Sequence, residues 1–565
     1  MLRSSRLVFS ALVCGFLAVP AVLAAQWQAS TGPRGTVLGA TVGGDVERYV
    51  RALALAGIIA PVPWAIRPFG PDDLAKFLQD SAVGAHPWKA AINRALTPRA
   101  SVGSMLFAGA NSGFAWGSND GAMWQGRGLN TAVGGAATMR WGPFSGVAAP
   151  VAFRAQNASF PLMKQPAFGY SKYNDPLFPT VIDLPQRMGN DAYARLDGGE
   201  SALRVHGLGL VAGITTASLG WGTGEAFPAL FGPNAGGFPH LFAGTGGRGI
   251  RVPYLGRVNA RYILGMLDQS SWSPVQGSQT YVNAQQSGTR RIGTGLNLSF
   301  MPQLLPNLEL GATRFFHSPF RDGTTRWDAW SKPFEGIFKQ GFEGRSGGTG
   351  DPTGDADNQL ASFFARWVFP SRGVEATLEM FREDHNWDSR DLAQEPENNS
   401  AVMASIRATT SRRADAIGIV TFEYFDGDVR PIGKVRAQGF LYTHGGMLQG
   451  HTQRGQLLGA PIGAGAITGQ RVAWERFTPA GSLRFNVQRW RTRALRTENA
   501  EGLYPSANYL YPSSHDWIID GSVAATRYRG ARALTYEGGL AWAGVWQLSD
   551  ERRANLYGRV SWSLF

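Results

Sequence analysis

The side chains able to do chemistry fall into two groups, and they point to different functions. The run Asp351-Pro352-Thr353-Gly354-Asp355-Ala356-Asp357 gathers three carboxylates, the hard oxygen donors that calcium takes. Their spacing matches no calcium loop, and a solvated turn is expected. His444 and His451 share one Gly-rich connection. Zinc would need a third ligand and a defined scaffold, so both are expected to be solvated. Ser513-Ser514-His515-Asp516 carries the residue types of a hydrolytic relay. Neighbours on a strand entry point to opposite faces, which breaks the relay. Glu423, Asp426 and Asp428 read as a strand end and an Asp-Gly turn, and no two carboxylates stand out as the pair that glycoside hydrolysis needs. Gly220-Trp221-Gly222-Thr223-Gly224 lacks the Lys-Ser/Thr ending of a phosphate loop; its glycines are expected to allow close packing at a barrel rim. No enzyme chemistry, cofactor or metal is expected.

The second group suits recognition. Trp327, Trp330, Tyr504, Tyr509 and Tyr511 share long connections with Arg248, Lys332, Arg345 and Arg454. Aromatic rings can stack on sugars, and guanidinium groups can pair with sugar carboxylates. The chain carries a net charge of +13, and 47 of its 54 basic residues are Arg. That bias fits genomic base composition, and it equally fits an Arg-lined interior or mouth that meets anionic sugars or lipopolysaccharide.

These residues must be positioned by strands. From Ala100 onward apolar residues recur at every second position, as in Leu129, Val133, Ala137, Met139 and Trp141, or Val258, Ala260, Tyr262, Leu264 and Met266, which puts one apolar and one mixed face on each strand. Comparable runs include 360–369, 374–382, 416–425, 435–442 and 483–490. The last 32 residues form the clearest pair. Leu534, Tyr536, Gly538, Leu540, Trp542, Gly544, Trp546 and Leu548 answer Leu556, Gly558, Val560, Trp562 and Leu564 across the turn at 549–553, and the chain stops at Phe565. The fold expected is all-β, a large antiparallel transmembrane β-barrel of about 16–18 strands, each near the ~9–11 residues of a tilted span. Long connections are expected at 157–190, 220–252, 318–358, 443–470 and 497–516. Counted back from Phe565, the alternation of short turns and long loops holds to about Asp426 and then fails, which places a misassigned strand between Trp221 and Phe425.

The beginning of the chain differs in character. Arg3 and Arg6 precede an uncharged apolar stretch to Ala25, the layout of a signal peptide over 1–25. Cys14, the single cysteine, follows Leu12 and Val13 and does not suit lipid attachment. No later stretch offers the ~20 apolar residues of a helical span. Over 26–99 the period turns helical. One helix is expected over 45–59 and a second over 71–78, with Pro71 and two Asp in its first turn; a third fits 87–96. An exported barrel has no use for nucleic acid, despite the basic balance.

The stretch from Asp45-Val46-Glu47-Arg48-Tyr49 to Ile59, then Pro63-Trp64-Ala65-Ile66, then Gly70-Pro71-Asp72-Asp73-Leu74, resembles the opening of the capsule assembly protein Wzi family. Trp221-Gly222-Thr223-Gly224 followed by Asn234-Ala235 and Pro239 is similar to that family's "WGxG … NA…P" stretch. The resemblance implies a monomeric outer-membrane barrel over 100–565, blocked at its periplasmic end by a helical plug over 26–99. It implies a lectin-like role, binding and organising capsular or other exported polysaccharide at the cell surface amid outer-membrane lipid and lipopolysaccharide, with no catalysis. On that role, the sugar-binding residues would be the nine aromatic and basic residues above. A porin selective for carbohydrates or anions is the alternative.

Overall fold

The computed structural model describes residues 41–78, 83, 101–163, 170–275, 290–320, 330–334, 357–383, 389–413, 415–428, 440–494, 515–529, 532–545 and 551–564. Its main body is one closed antiparallel barrel. The spans are β1 (Ser101–Asn111), β2 (Gly128–Trp141), β3 (Phe144–Ala148 with Val151–Ala155), β4 (Tyr193–Asp197 with Ala202–Gly207), β5 (Leu210–Thr215) and β6 (His240–Thr245 with Ile250–Val252). They continue as β7 (Gly256–Leu267), β8 (Arg291–Pro302), β9 (Leu308–Pro319), β10 (Asn358–Phe369), β11 (Val374–Glu383) and β12 (Ser400–Arg413). The last are β13 (Ala416–Gly427), β14 (Ile467–Thr478), β15 (Gly481–Ala494), β16 (His515–Arg529), β17 (Arg532–Val545) and β18 (Arg553–Leu564). Each span pairs with its neighbours, and β18 closes on β1 from Leu564↔Ser104 to Tyr557↔Asn111.

Eighteen spans bear out the expected architecture. The terminal hairpin forms as expected, and its register sets Leu534 opposite Trp562, Tyr536 opposite Val560 and Leu540 opposite Leu556; Phe565, Trp546 and Leu548 lie outside the described residues. Outward positions form an apolar belt. Val133, Leu203, Leu241, Phe363, Leu378, Phe422, Val487 and Trp542 are all exposed, the surface a barrel turns to lipid.

Short turns and long connections alternate without exception. Turns such as Leu208-Gly209, with both φ values positive (51° and 80°), close one end; this is the hairpin turn that matches strand twist. The long connections all leave the other end. The expected misassigned strand between Trp221 and Phe425 is therefore corrected. The error lies at 435–442. There β13 pairs directly with β14, and the described part of that segment makes one isolated bridge, Leu441 to Gly465. Removing it restores the alternation and moves 320–357 to the long-loop end.

The described residues before β1, 41–78 and 83, lie inside the wall at the short-turn end. Helix α1 (Asp45–Leu55) stops short of the expected Ile59. Gly57, at φ 74°, takes the left-handed position. The N–H groups of Gly57 and Ile58 donate to the carbonyls of Ala54 and Leu53 at 3.2 and 2.9 Å, a glycine-terminated helix end. Helix α2 (Pro71–Leu78) has the expected bounds; the helix expected over 87–96 lies outside the described residues. Leu53, Phe69, Leu74 and Phe77 form one core with Val368, Ile417 and Phe477 of the wall.

The lipid-facing reading of the outer belt is testable at Leu378, mid-span on β11 and 55% exposed. Leu378→Arg is expected to destabilise the barrel by about 2–4 kcal/mol, measured by denaturant unfolding in lipid.

Candidate functional site

The lumen is filled by segments that are not part of the wall. The 216–239 connection turns inward, and its Gly220–Trp221 pairs antiparallel with Ile66–Arg67 of the N-terminal module. The 440–466 segment folds in beside it. Trp221, Phe227, Leu230 and Phe231 pack with Tyr442, Leu458 and Ile462, and with Phe315, Phe381 and Phe425 of the wall.

Wall carboxylates hold these segments. Alternation along β11 aims Glu375, Thr377, Glu379, Phe381 and Glu383 inward, and each is 5% exposed or less. Glu309 on β9 accepts the N–H groups of Trp64 and Ala65 at 2.7 and 3.2 Å. Glu379 accepts that of Thr223 at 3.1 Å, and Glu383 accepts that of Tyr442. Glu423 on β13 accepts those of Glu225 and Phe227 at 3.2 and 2.7 Å. A Cβ at Gly222, which has φ +90°, would fall 2.4 Å from Glu379 Oε2. The glycines of the Gly220–Trp221 stretch thus serve close packing in mid-lumen, not at the rim as expected.

Arginines neutralise the carboxylates. Glu375 meets Arg51, Arg366 and Arg407 at 2.6, 2.9 and 3.4 Å. Arg67 pairs with Glu47 at 2.7 Å and Arg48 with Glu475 at 3.1 Å. Arg51, Arg67 and Arg366 all lie within 5.7 Å of the centre of the Trp64 ring. Burial opposes the charge on Glu225, yet Arg407 and Arg471, at 3.1 and 3.0 Å, hold its carboxyl well below the usual range. Burial also pulls Arg51 down to about 10, against the pull of Glu375.

A polar cavity of about 610 Å³ remains between the inserted segments and β14–β18. Asp520 organises one side of it, accepting from Trp116 Nε1, Gln488 Nε2 and the Tyr557 hydroxyl at 3.2, 3.1 and 2.8 Å. Arg559 pairs with Glu537 at 3.2 Å. The Trp116 ring stands 4.8 Å from that of Trp490. An aromatic face among hydrogen-bonding groups can hold a polyol. The sequence signal was present, because these polar residues occupy the positions that alternate with lipid-facing ones.

Of the nine residues expected to bind sugar, the four that are described, Arg248, Trp330, Lys332 and Arg454, do not line this cavity. Trp327, Arg345, Tyr504, Tyr509 and Tyr511 lie outside the described residues. The expected connection 220–252 contains β6, which carries Arg248 to the short-turn end, where it donates to the Lys76 carbonyl and lies 5.5 Å from the Phe77 ring centre. Arg248 is thus corrected from a distal loop residue to one seated on α2. Trp330 and Lys332 lie against the outside of the wall. The Tyr262 hydroxyl donates to the Trp330 carbonyl at 3.1 Å, Phe334 stacks on Tyr262, and Lys332 pairs with Asp357 at 2.8 Å. Asp357 is the one member of the acidic run that is described. Arg454 is committed to Asp268 and Asp197 at 2.8 and 3.1 Å.

His451 is not solvated as expected. It is fully buried, with Nδ1 2.8 Å from His317 Nε2 and Nε2 2.6 Å from the Leu230 carbonyl. Burial holds it down at about 3. Among the described residues no group of three or more His, Cys, Asp or Glu could hold a metal ion.

Three outcomes follow from these contacts. Glu375→Gln leaves three buried guanidinium groups facing one another and is expected to destabilise the protein by about 3–5 kcal/mol. Arg413→Gln, which breaks the exposed Arg413–Asp415 pair, is expected to leave the urea midpoint unchanged, because solvent screens that pair; urea unfolding measures both. His451 titrates near the ordinary ~6.5 when unfolded and near 3 when folded. Its contribution is complete above the unfolded value and falls as pH drops toward the folded one, at up to about 1.4 kcal/mol per pH unit. Unfolding measured from pH 7 to pH 4 is expected to show a loss of stability, and His451→Gln to reduce its slope by up to that amount.

Comparison with known proteins follows the same architecture. The family model described as capsule assembly protein Wzi matches residues 103–522. Among solved structures, Wzi of Escherichia coli, an outer-membrane protein described as a carbohydrate-binding β-barrel involved in group 1 capsule assembly, superposes with a TM-score of 0.61 at 14% identity. The match covers 92% of this chain and 98% of that one. OccK7 (OpdD) and OprD of Pseudomonas aeruginosa give TM-scores of 0.39 and 0.36 at 8% and 9% identity. Each match covers 82% of this chain, and 98% and 93% of theirs. A search of curated proteins finds no match. With the family model spanning most of the barrel, this chain belongs to the capsule assembly protein Wzi family.

Proposed function

We propose that the protein binds and organises exported capsular polysaccharide at the cell surface, without catalysis. It acts as a monomer in the outer membrane, among lipid and lipopolysaccharide. The long-loop end faces outward, and the N-terminal module sits at the periplasmic mouth. Family membership supports the capsule role. The observation that carries the reading is the filled lumen: two inserted segments meet in a sheet at Ile66–Arg67 and Gly220–Trp221 and are clamped by Glu309, Glu379 and Glu423. A pore would keep that space open. A surface receptor needs only a rigid platform beneath its loops. Aromatic and basic residues of the long connections, Trp327, Arg345, Tyr504, Tyr509 and Tyr511 among them, supply sugar contacts.

Full-length protein in planar bilayers is expected to show no large steady conductance; such currents would establish the porin instead. In cells, Trp327→Ala or Tyr509→Ala is expected to lower the amount of bound capsule several-fold, while barrel abundance stays constant. An unchanged capsule layer after deletion of the whole gene would overturn the capsule role.

A further inference from the structure

The short-turn end carries a row of cations with no acid among them. β5 begins at Leu210, opposite Thr245 of β6, and β6 runs on past it to Val252 with β7 as its ladder partner. This overhang has two unlike faces. Arg257 shares its parity with Asn259 and Ile263, which are buried in the lumen. Arg257, and Arg251 directly opposite it, therefore take the inner side, at the mouth of the barrel. Ile250, Val252 and Val258 alternate with them and take the outer face. The Arg257 guanidinium donates to the Arg248 carbonyl at 2.6 Å, and Arg248 donates to the Lys76 carbonyl of α2. The four residues thus adjoin one another. Lys76, Arg248 and Arg251 are exposed, and Arg257 is half-buried.

Among the described residues none of the four forms an ion pair. The acids of α2 are engaged elsewhere. Asp72 pairs with Arg140 at 2.8 Å, and Asp73 accepts the N–H groups of Gly247 and Gly70 at 2.8 and 3.3 Å. Even with Asp73 set against them, the four cations leave an excess of three positive charges. Like charges directly opposite on a ladder repel, so the Arg251–Arg257 pair favours an anion beside it. One small anion would serve two of these groups; a row of four suits a ligand with repeated charges. A protein partner would need an apolar core to its contact, and Arg251, Arg257 and Asn259 offer none. Lipid headgroups meet the opposite face. Tyr254, 94% exposed at the tip of the β6–β7 turn, presents an aromatic ring of the kind that stacks on a sugar.

We propose that this row binds a carboxylate-bearing polysaccharide chain, a second polymer contact at the opposite end of the barrel from the long loops. Lys76, Arg248, Arg251 and Arg257 pair with successive sugar carboxylates, which guanidinium groups bind in a fork, and Tyr254 stacks on a ring. The class of polymer rests on the surface-polysaccharide reading; the row of charges does not.

The test uses full-length protein in detergent at fixed ionic strength, titrated by calorimetry. The probes are short alginate chains (a polyuronate), dextran as the neutral polymer and polyglutamate as the acidic peptide. Alginate is expected to bind, dextran not at all and polyglutamate much more weakly. The double variant Lys76→Glu with Arg251→Glu is expected to weaken alginate binding by about tenfold or more. Arg413→Glu, which changes an exposed cation at the same end that is already paired with Asp415, is expected to leave it unchanged. Arg251→Lys keeps the charge and is expected to keep most of the affinity. Arg251→Glu sets opposite charges across the ladder and is expected to melt as high as the parent, which separates lost binding from lost fold. Alginate binding that is absent, or undiminished in the double variant, would overturn the proposal, and polyglutamate binding as tight as alginate would replace the sugar with an acidic protein. Binding lost in Tyr509→Ala but intact in the double variant would assign the polymer to the long loops alone, which overturns this row and spares the surface reading.

Discussion

A chain that crosses the inside of a membrane barrel has nowhere to put its backbone N–H groups. The wall satisfies its own ladder, and helices satisfy theirs, but extended segments in the lumen do neither, and an unpaired buried amide is costly. Here the wall supplies the acceptors. Glu309, Glu379, Glu383 and Glu423 each take the main-chain N–H of an inserted residue. Carboxylates used this way bring a second problem, their own charge, and that accounts for the arginines. Arg366 and Arg407 rise from the wall while Arg51 arrives with the helix, and all three converge on Glu375. The apolar core of the plug, the glycine at 222 and the ion-pair lattice are successive consequences of filling a wide barrel with chain.

That lattice also bears on how the outer loops are supported. The 216–239 and 440–466 segments leave the wall at the long-loop end and descend into the lumen, where Tyr442 lies against Phe381 and His451 against Phe231. They form a floor. On the proposed role, a surface that holds a long, repetitive polymer gains more from fixed spacing than from any single tight contact.

The barrel was legible in the sequence because lipid on one side and a polar interior on the other impose a period of two. The C-terminal hairpin could be read from its alternation, although the pairing of Leu540 with Leu556 could not, and the two described helices of the N-terminal module declared themselves through their apolar stripes. What misled was the run at 435–442. Leu441 and Tyr442 are as buried as any strand residue, but they are buried in the floor, and alternation cannot tell a wall from a floor. The candidate site was less legible for a related reason. Connection length located the loops and said nothing of their direction, so Arg454 and His451 were read as solvent-facing. The signal that would have found the interior was the set of acids at inward positions of β11. Glu375, Glu379 and Glu383 stand where a small, dry core would have placed apolar side chains.

The two-residue sheet between Ile66–Arg67 and Gly220–Trp221 has a consequence for assembly order. Both of its partners precede the larger part of the barrel wall, from β6 to β18. The N-terminal module and the first inserted segment can therefore find each other before the seam between β18 and β1 exists. Chain order thus permits the wall to close around contents that are already paired, with the seam between β18 and β1 as the joint that joins the two ends of the chain's barrel.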